Sequence, residues 1–106
     1  MGERVELFRR KLEADSCNLL FRFSLAQALF DEGGFSEAEE SFCLCLDEKQ
    51  DWMLALLFRG RCLIELERFD DAIDALRLAV KAAVEQNHED PEREARVLLE
   101  QLESKV

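Results

Sequence analysis

Proline and glycine, the residues that most often interrupt helices, are scarce in this sequence: it has one proline and four glycines among 106 residues. Hydrophobic residues make up 48% of the chain and charged residues 36%. This balance is typical of an ordered helical protein and argues against a disordered low-complexity chain. The length allows one domain with a modest core. We therefore expect a single domain that is nearly all α-helical.

Long apolar segments and an excess of basic charge are also missing. No run of 18 apolar residues occurs, and the N-terminal residues lack the apolar core of an export signal, so neither a membrane span nor secretion is indicated. The 24 acidic residues outnumber the 14 basic ones and give a net charge of -10, which repels phosphate backbones and anionic lipid surfaces. We expect a cytoplasmic protein that binds neither nucleic acid nor membranes.

Residues suited to catalysis or metal binding are few. His88 is the one histidine, and the four cysteines form no CxxC pair, so the spacing of a zinc site is missing. No GxSxG motif, HExxH motif or phosphate-binding glycine loop is present. The sequence therefore predicts no metal, no cofactor and no enzymatic activity. We expect reduced thiols at Cys17, Cys43, Cys45 and Cys62, and a thiol-based sensor at Cys43 and Cys45 remains an alternative.

The sequence repeats itself at an offset of 34 residues. The segment GGFSEAEESFCLCL, residues 33–46, is matched by ERFDDAIDALRLAV, residues 67–80. Equivalent positions carry the same residue in five pairs: Leu20/Leu54, Leu29/Leu63, Phe35/Phe69, Ala38/Ala72 and Leu44/Leu78. A repeat of this length is typical of stacked helix pairs, in which each pair buries its apolar face against its neighbours.

Apolar residues recur at helical spacing in six segments, approximately residues 3–14, 19–32, 37–47, 52–66, 70–86 and 91–104. Gly33 and Gly34 predict a tight reversal with a left-handed closing residue. Residues that favour helix starts precede the last four segments: Ser36, which forms a capping box with Glu39, and the candidate N-caps Asp51, Asp70 and Asp90. The connections are short, so neighbouring helices should be antiparallel.

This pattern resembles the tetratricopeptide repeat family, whose 34-residue unit is two antiparallel helices with a small residue early in the second helix. The matching positions are Leu25, Ala26, Leu29, Phe35, Ala38, Phe42 and Cys45 in the first repeat, and Gly60, Leu63, Phe69, Ala72, Leu76 and Ala79 in the second. The resemblance implies an all-α stack in one domain over residues 1–106, with a half-repeat helix at 1–15, repeats at 19–51 and 53–86, and a capping helix at 91–104. The sequence departs from the family pattern at Arg22, Gln50, Leu56, Arg59 and Val84.

In this family the first helix of each pair lines the concave side of the stack. Carried over by register, the resemblance implies a groove formed by Leu20, Phe23, Gln27, Phe30, Leu54, Leu57, Arg61 and Ile64. Such an apolar surface favours a non-catalytic interaction module that binds a peptide or helix of another protein. The chaperone-binding variety of the family uses Lys and Asn where this chain has Phe23 and Gln27, so that variety is not favoured. The alternative is a self-assembling protein whose groove is covered by its own final helix or by a second copy in a homodimer.

Overall fold

The structure, a computed structural model, describes residues 2–104. Within these residues the chain forms six α-helices and no strand. The helices are α1 Glu3–Ala14, α2 Leu19–Asp31, α3 Phe35–Glu48, α4 Met53–Glu65, α5 Phe69–Glu85 and α6 Glu89–Glu103. The prediction of an all-α fold with six helices is confirmed.

The helices form two rows. Each helix packs against the next because the connections have only three or four residues. Helix α4 also touches α2 and α6, whereas the backbone of α3 stays apart from the backbones of α1 and α5 within the described chain. Long side chains bridge these wider gaps: Arg9 of α1 pairs with Glu37 of α3, and Arg68, just before α5, pairs with Glu39 of α3. Helices α2, α4 and α6 therefore form an inner row and α1, α3 and α5 an outer row, and the side of the inner row is concave.

Small residues let the paired helices approach closely. Ala26 of α2 is equivalent to Gly60 of α4, and Ala38 of α3 is equivalent to Ala72 of α5. All three alanines are completely buried. A Cβ atom at position 60 would lie 2.7 Å from Cδ2 of Leu76 on α5. The absence of a side chain at this position allows α4 and α5 to pack as closely as they do.

The core changes character along the stack. Toward α1 it is aromatic, with the ring centroids of Phe23 on α2, Phe42 on α3 and Phe58 on α4 separated by 5.6 to 6.3 Å. At the other end it consists of aliphatic side chains, among them Leu63 and Leu76 and the buried alanines of α5. In the pair α2 and α3, phenylalanine rings occupy space that smaller side chains occupy in the pair α4 and α5. The two pairs therefore carry different residues at equivalent positions.

The turns after α2, α4 and α5 share one backbone geometry. Gly33, Glu67 and Asn87 have φ values of 83°, 59° and 59°. The next N–H donates to the carbonyl five residues back, at 2.8 Å from Gly34 to Leu29 and at 2.9 Å in the other two turns. A left-handed residue of this kind closes a helix through the backbone alone. Glycine adopts it freely, whereas glutamate and asparagine adopt it at an energetic cost.

This turn geometry explains why the predicted helix caps are wrong. Helices α3, α4, α5 and α6 begin after Gly34, Trp52, Arg68 and His88, and none of these side chains forms a cap hydrogen bond. Three of the four helices begin two residues earlier than the capping residues predict, because the preceding left-handed turn fixes where the chain re-enters a helix. In the described chain only Asn18 caps a helix with its side chain, accepting a hydrogen bond from the Phe21 N–H at 3.0 Å.

Helix α6 lies at the end of the stack. It begins at Glu89, two residues before the predicted start, and Ala95 and Leu102 are buried in the cluster that includes α5. Leu98 and Leu99 pack partly buried against the same cluster. None of the helices in residues 2–104 is both long and apolar enough to cross a membrane.

Candidate binding surface

Two large apolar side chains at equivalent positions of α2 and α4 face solvent. Leu20, in the first turn of α2, is 70% exposed, and Leu54, at the equivalent position of α4, is 39% exposed. Helices α2 and α4 run parallel because each is antiparallel to α3. The two leucines therefore lie at equivalent, exposed positions of neighbouring parallel helices of the inner row, and we call this pair the leucine strip.

Four other predicted groove residues are half-buried. These are Gln27 and Phe30 on α2, and Arg61 and Ile64 on α4. They follow the leucine strip along their helices by two to three turns. Six of the eight predicted residues are thus at least partly exposed, and their part in binding stays a prediction.

The prediction is wrong for Phe23 and Leu57, which are only 9% and 2% exposed. Phe23 stacks on Trp52 with ring centroids 4.6 Å apart and packs edge-on against Phe42. Leu57 belongs to the aliphatic half of the core. Both side chains are packed in the core, Phe23 against rings of α3, of α4 and of the turn before α4, so they hold helices together and present almost no surface to a ligand.

Sequence reasoning missed Phe58, which is half-buried on α4. Its ring lies 5.5 Å from that of Phe30 and 5.6 Å from that of Phe42. The signal was available, because Phe58 precedes Arg61 by three residues and so lies next to it on one helix face. This ring connects the core to the concave surface.

Arg61 joins all three helices of the inner row. Its guanidinium carbon lies 5.2 Å from the ring centroid of Phe30 and 5.4 Å from that of Phe58, which is within the range of cation–π attraction. Its Nη1 atom lies 3.3 Å from Oε1 of Glu94 on α6. The concave surface therefore carries a cation held on an aromatic platform, with one acidic neighbour.

Helix α6 does not cover the leucine strip. It packs on α5 and reaches the inner row beside α4, where Glu94 meets Arg61. The leucine strip stays exposed. The alternative in which the final helix fills the groove is therefore wrong for this part of the surface.

A second polar cluster lies between α3, α4 and α5. Glu39 is only 8% exposed. Its Oε2 accepts hydrogen bonds from Arg59 Nε at 3.0 Å and from the Cys43 thiol at 2.7 Å, and its Oε1 accepts one from Arg68 at 3.4 Å. Burial alone raises the pKa of Glu39, but the hydrogen bonds from Cys43 and Arg59 outweigh it, so the pKa lies below the usual 4.5. Glu39 is a buried carboxylate that holds three helices together.

The cysteine environments argue against a thiol sensor. Burial, together with the hydrogen bond to Glu39, raises the pKa of Cys43 to about 11. Burial raises the pKa of Cys45 to about 11 and that of Cys62 to about 12. Thiols with such values stay protonated and weakly nucleophilic near neutral pH. Cys17 lies exposed in the turn before α2.

No group of three or more His, Cys, Asp or Glu side chains within residues 2–104 is arranged to hold a metal ion. His88 is exposed and occupies the N-cap position of α6 without forming a side-chain cap. The chemistry available on the concave side is therefore that of apolar contact, cation–π contact and ionic contact.

Three solved structures share this fold. A tetratricopeptide repeat domain protein from Salinibacter ruber, in its solution structure, is 23% identical, has a TM-score of 0.74 and covers 83% of this chain and 89% of that chain. A crystal structure of such a protein from the same organism is 22% identical, with a TM-score of 0.76 and coverage of 84% and 100%. A protein from Bordetella parapertussis is 22% identical, with a TM-score of 0.86 and coverage of 99% and 91%.

These likenesses confirm that the chain has the tetratricopeptide-type helical-repeat fold. No protein-family model matches the sequence, and no curated protein matches it.

Proposed function

We propose that this chain is a non-catalytic scaffold or adaptor that binds a peptide or amphipathic helix of another protein on the concave surface of α2, α4 and α6. The observation that carries the proposal is the leucine strip, in which Leu20 and Leu54 are exposed at equivalent positions of neighbouring helices. Contiguous exposed apolar side chains mark contact sites, whereas isolated ones are ordinary.

The energetics favour a partner with apolar side chains. Complete burial of a leucine side chain contributes roughly 1.5–3 kcal/mol, so covering the leucine strip supplies a useful share of the free energy of a micromolar complex, about 8 kcal/mol. Phe30 and Phe58 extend the apolar surface toward the centre of the groove. A segment lying across α2 and α4 gains both sets of contacts.

The state of the cysteines is consistent with a protein that resides in a reducing compartment such as the cytoplasm. All four cysteines are free thiols, and two of them, Cys45 and Cys62, are buried in the first half of the core as small apolar side chains.

The test compares two double variants. Leu20→Ser with Leu54→Ser removes the leucine strip, whereas Leu44→Ser with Leu78→Ser removes two leucines of the outer row that are 47% and 51% exposed. Both changes replace exposed leucines at equivalent positions of neighbouring helices in one row, so they match in chemistry. Proteins captured from a lysate of the source organism are quantified by mass spectrometry for the parent and both variants.

We expect a set of captured proteins that disappears with the inner-row variant and persists with the outer-row variant. Equal capture by both variants would contradict the proposal. Sedimentation over a wide concentration range tests the competing occupant, a second copy of the chain. A dimer that the inner-row variant abolishes would assign the leucine strip to self-association.

A further inference from the structure

Arg61 has unused hydrogen-bonding capacity at the centre of the concave surface. A guanidinium group carries five N–H donors. Among residues 2–104, the Arg61 guanidinium forms an ion pair with Glu94 at 3.3 Å and two ring contacts, but it donates no hydrogen bond to them. The side chain is 38% exposed, so the group is accessible from the groove.

We propose that Arg61 binds a carboxylate of the partner segment, and that Glu94 stands in for this carboxylate when no partner is bound. The inference rests on the proposed function and narrows the partner to a segment that carries an acidic residue together with a large apolar one. It also gives α6 a part in binding, because Glu94 must be displaced.

The chemistry of Arg61 selects a carboxylate. Its planar fork matches two carboxylate oxygens, and charge-assisted hydrogen bonds of this kind are stronger than those to neutral carbonyls. The rings of Phe30 and Phe58 hold the guanidinium against their faces, which limits its motion before binding. A lysine or arginine of a partner would instead be repelled at this position.

Glu94 is suited to be displaced from Arg61 by a partner carboxylate. Its side chain is 46% exposed, and its Oε1 lies 3.3 Å from Nη1 of Arg61 without hydrogen-bond geometry. Exposed ion pairs of this kind contribute little to stability. A partner carboxylate that approaches from the groove and receives two hydrogen bonds forms a stronger contact, so exchange is favourable once the apolar contacts hold the segment in place.

The distance between Leu54 and Arg61 predicts how far apart the apolar and acidic residues of the ligand are. Leu54 precedes Arg61 by seven residues on α4, which places them two turns and about 10 Å apart on the same helix face. An extended segment covers this distance in about three residues, at roughly 3.3 Å per residue. We expect a glutamate or aspartate with a large apolar residue about three positions away.

The experiment begins with a displayed library of random twelve-residue peptides selected on the full chain. The strongest binder is synthesised in two forms, one with its conserved acidic residue and one with the corresponding amide. Titration calorimetry then gives the dissociation constants of both peptides for the parent and for three variants.

Arg61→Gln should weaken binding of the acidic peptide about tenfold or more and remove the preference for acid over amide. Arg61→Lys should retain part of that preference, because the charge stays but the fork and the ring stacking are lost. Circular dichroism and thermal unfolding of both variants establish that a weaker binder is still folded.

Glu94→Gln provides the sharper test. It should tighten binding of the acidic peptide about two- to fivefold, by removing the internal competitor. The matched control is Glu103→Gln, which alters net charge equally and breaks a different ion pair of α6, that between Glu103 and Arg77 of α5 at 3.1 Å. The control should leave binding unchanged. If the role of Glu94 were purely structural, Glu94→Gln would weaken binding or leave it unaltered.

The outcomes separate the two proposals. Apolar peptides that bind equally well as acid and amide, and equally well to Arg61→Gln, would overturn the carboxylate site and leave the apolar groove standing. Binding that Glu94→Gln fails to tighten would overturn the displacement of Glu94. A selection that yields no peptide dependent on the leucine strip would overturn both the groove and the carboxylate site.

Discussion

The two complete helix pairs, α2 with α3 and α4 with α5, have the same geometry but different core side chains. The first pair carries phenylalanine at four positions where the second carries aliphatic residues, namely Phe21/Ala55, Phe23/Leu57, Phe30/Ile64 and Phe42/Leu76. Each residue of these pairs is buried or half-buried in both repeats. The repeat therefore fixes where a side chain lies, and the local space decides which side chain is used.

The larger difference is that one helix junction contains an ion pair where the equivalent junction is apolar. Glu39 and Arg59 form an ion pair where α3 meets α4. The residues 34 positions earlier, where α1 meets α2, are Val5 and Leu25, and both are buried in the first half of the core. The same junction is thus apolar in one place and ionic in the next. The departure from the family pattern at Arg59 is compensated by a partner that lies 20 residues earlier in sequence.

The largest expected effect comes from breaking this ion pair. Glu39→Val should destabilise the protein by about 2–3 kcal/mol, because it leaves the Arg59 guanidinium partly buried without its acceptor. Adding Arg59→Leu, which recreates the residues of the α1–α2 junction, should return stability to within about 1 kcal/mol of the parent. Urea denaturation measures both free energies.

An exposed ion pair supplies the control for this experiment. Arg4 and Asp31 also connect two helices, with side chains 55% and 58% exposed. Asp31→Asn should cost less than about 1 kcal/mol. A double variant as unstable as Glu39→Val would show that the two junctions are not interchangeable.

Lowering the pH should weaken the same ion pair. The pKa of Glu39 is lower in the folded protein than its usual 4.5, so its stabilising contribution is complete above that value and is lost as the pH falls through the lower, folded value. The double variant lacks this carboxylate. The parent should therefore lose more stability than the double variant between about pH 5 and about pH 3, as measured by denaturation at each pH. Parallel losses would show that Glu39 has no special part in acid unfolding.

These residues also show how far the sequence predicts the structure. The six helices and their stacking follow from a periodicity that runs through the whole chain, so errors at single positions do not disturb the prediction. The contact between Glu39 and Arg59 has no local pattern, because the two residues belong to different helices. The sequence instead assigned Glu39 to a capping box with Ser36, which is the nearest local explanation.

The site was predictable in part for the same reason. Register predicts that Leu20 and Leu54 lie exposed at equivalent positions of α2 and α4, because both positions depend only on the repeat. The burial of Phe23 depends on Trp52, which reaches it from the turn before α4. The contact between Arg61 and Glu94 depends on how far α6 extends across α4. Contacts between elements of this kind cannot be read from one helix at a time.

A smaller effect is expected at the close contact of the second pair. Gly60→Ala should cost about 1–3 kcal/mol, because the new methyl group would meet Leu76, which is fully buried and has little room to move. The equivalent position of the first pair, Ala26, already carries a methyl group. Thermal unfolding of Gly60→Ala with Leu76→Ala should show partial recovery relative to the sum of the two single changes. Strict additivity would indicate that the two side chains do not compete for space.

The smallest effect concerns the turns that close α2 and α4, where the two repeats again differ. Gly33 and Glu67 are equivalent, and both have a positive φ. Gly33→Ala should destabilise by about 1 kcal/mol, because alanine resists this backbone conformation although space for its methyl group is available. Glu67→Gly should stabilise by a few tenths of a kcal/mol up to about 1 kcal/mol, because the relief of backbone strain exceeds the entropy that glycine adds to the unfolded chain. Gly34→Ala, one residue further and without a positive φ, is the control for the loss of a glycine. A stability that falls on Glu67→Gly would show that the glutamate side chain contributes more than its strained backbone costs.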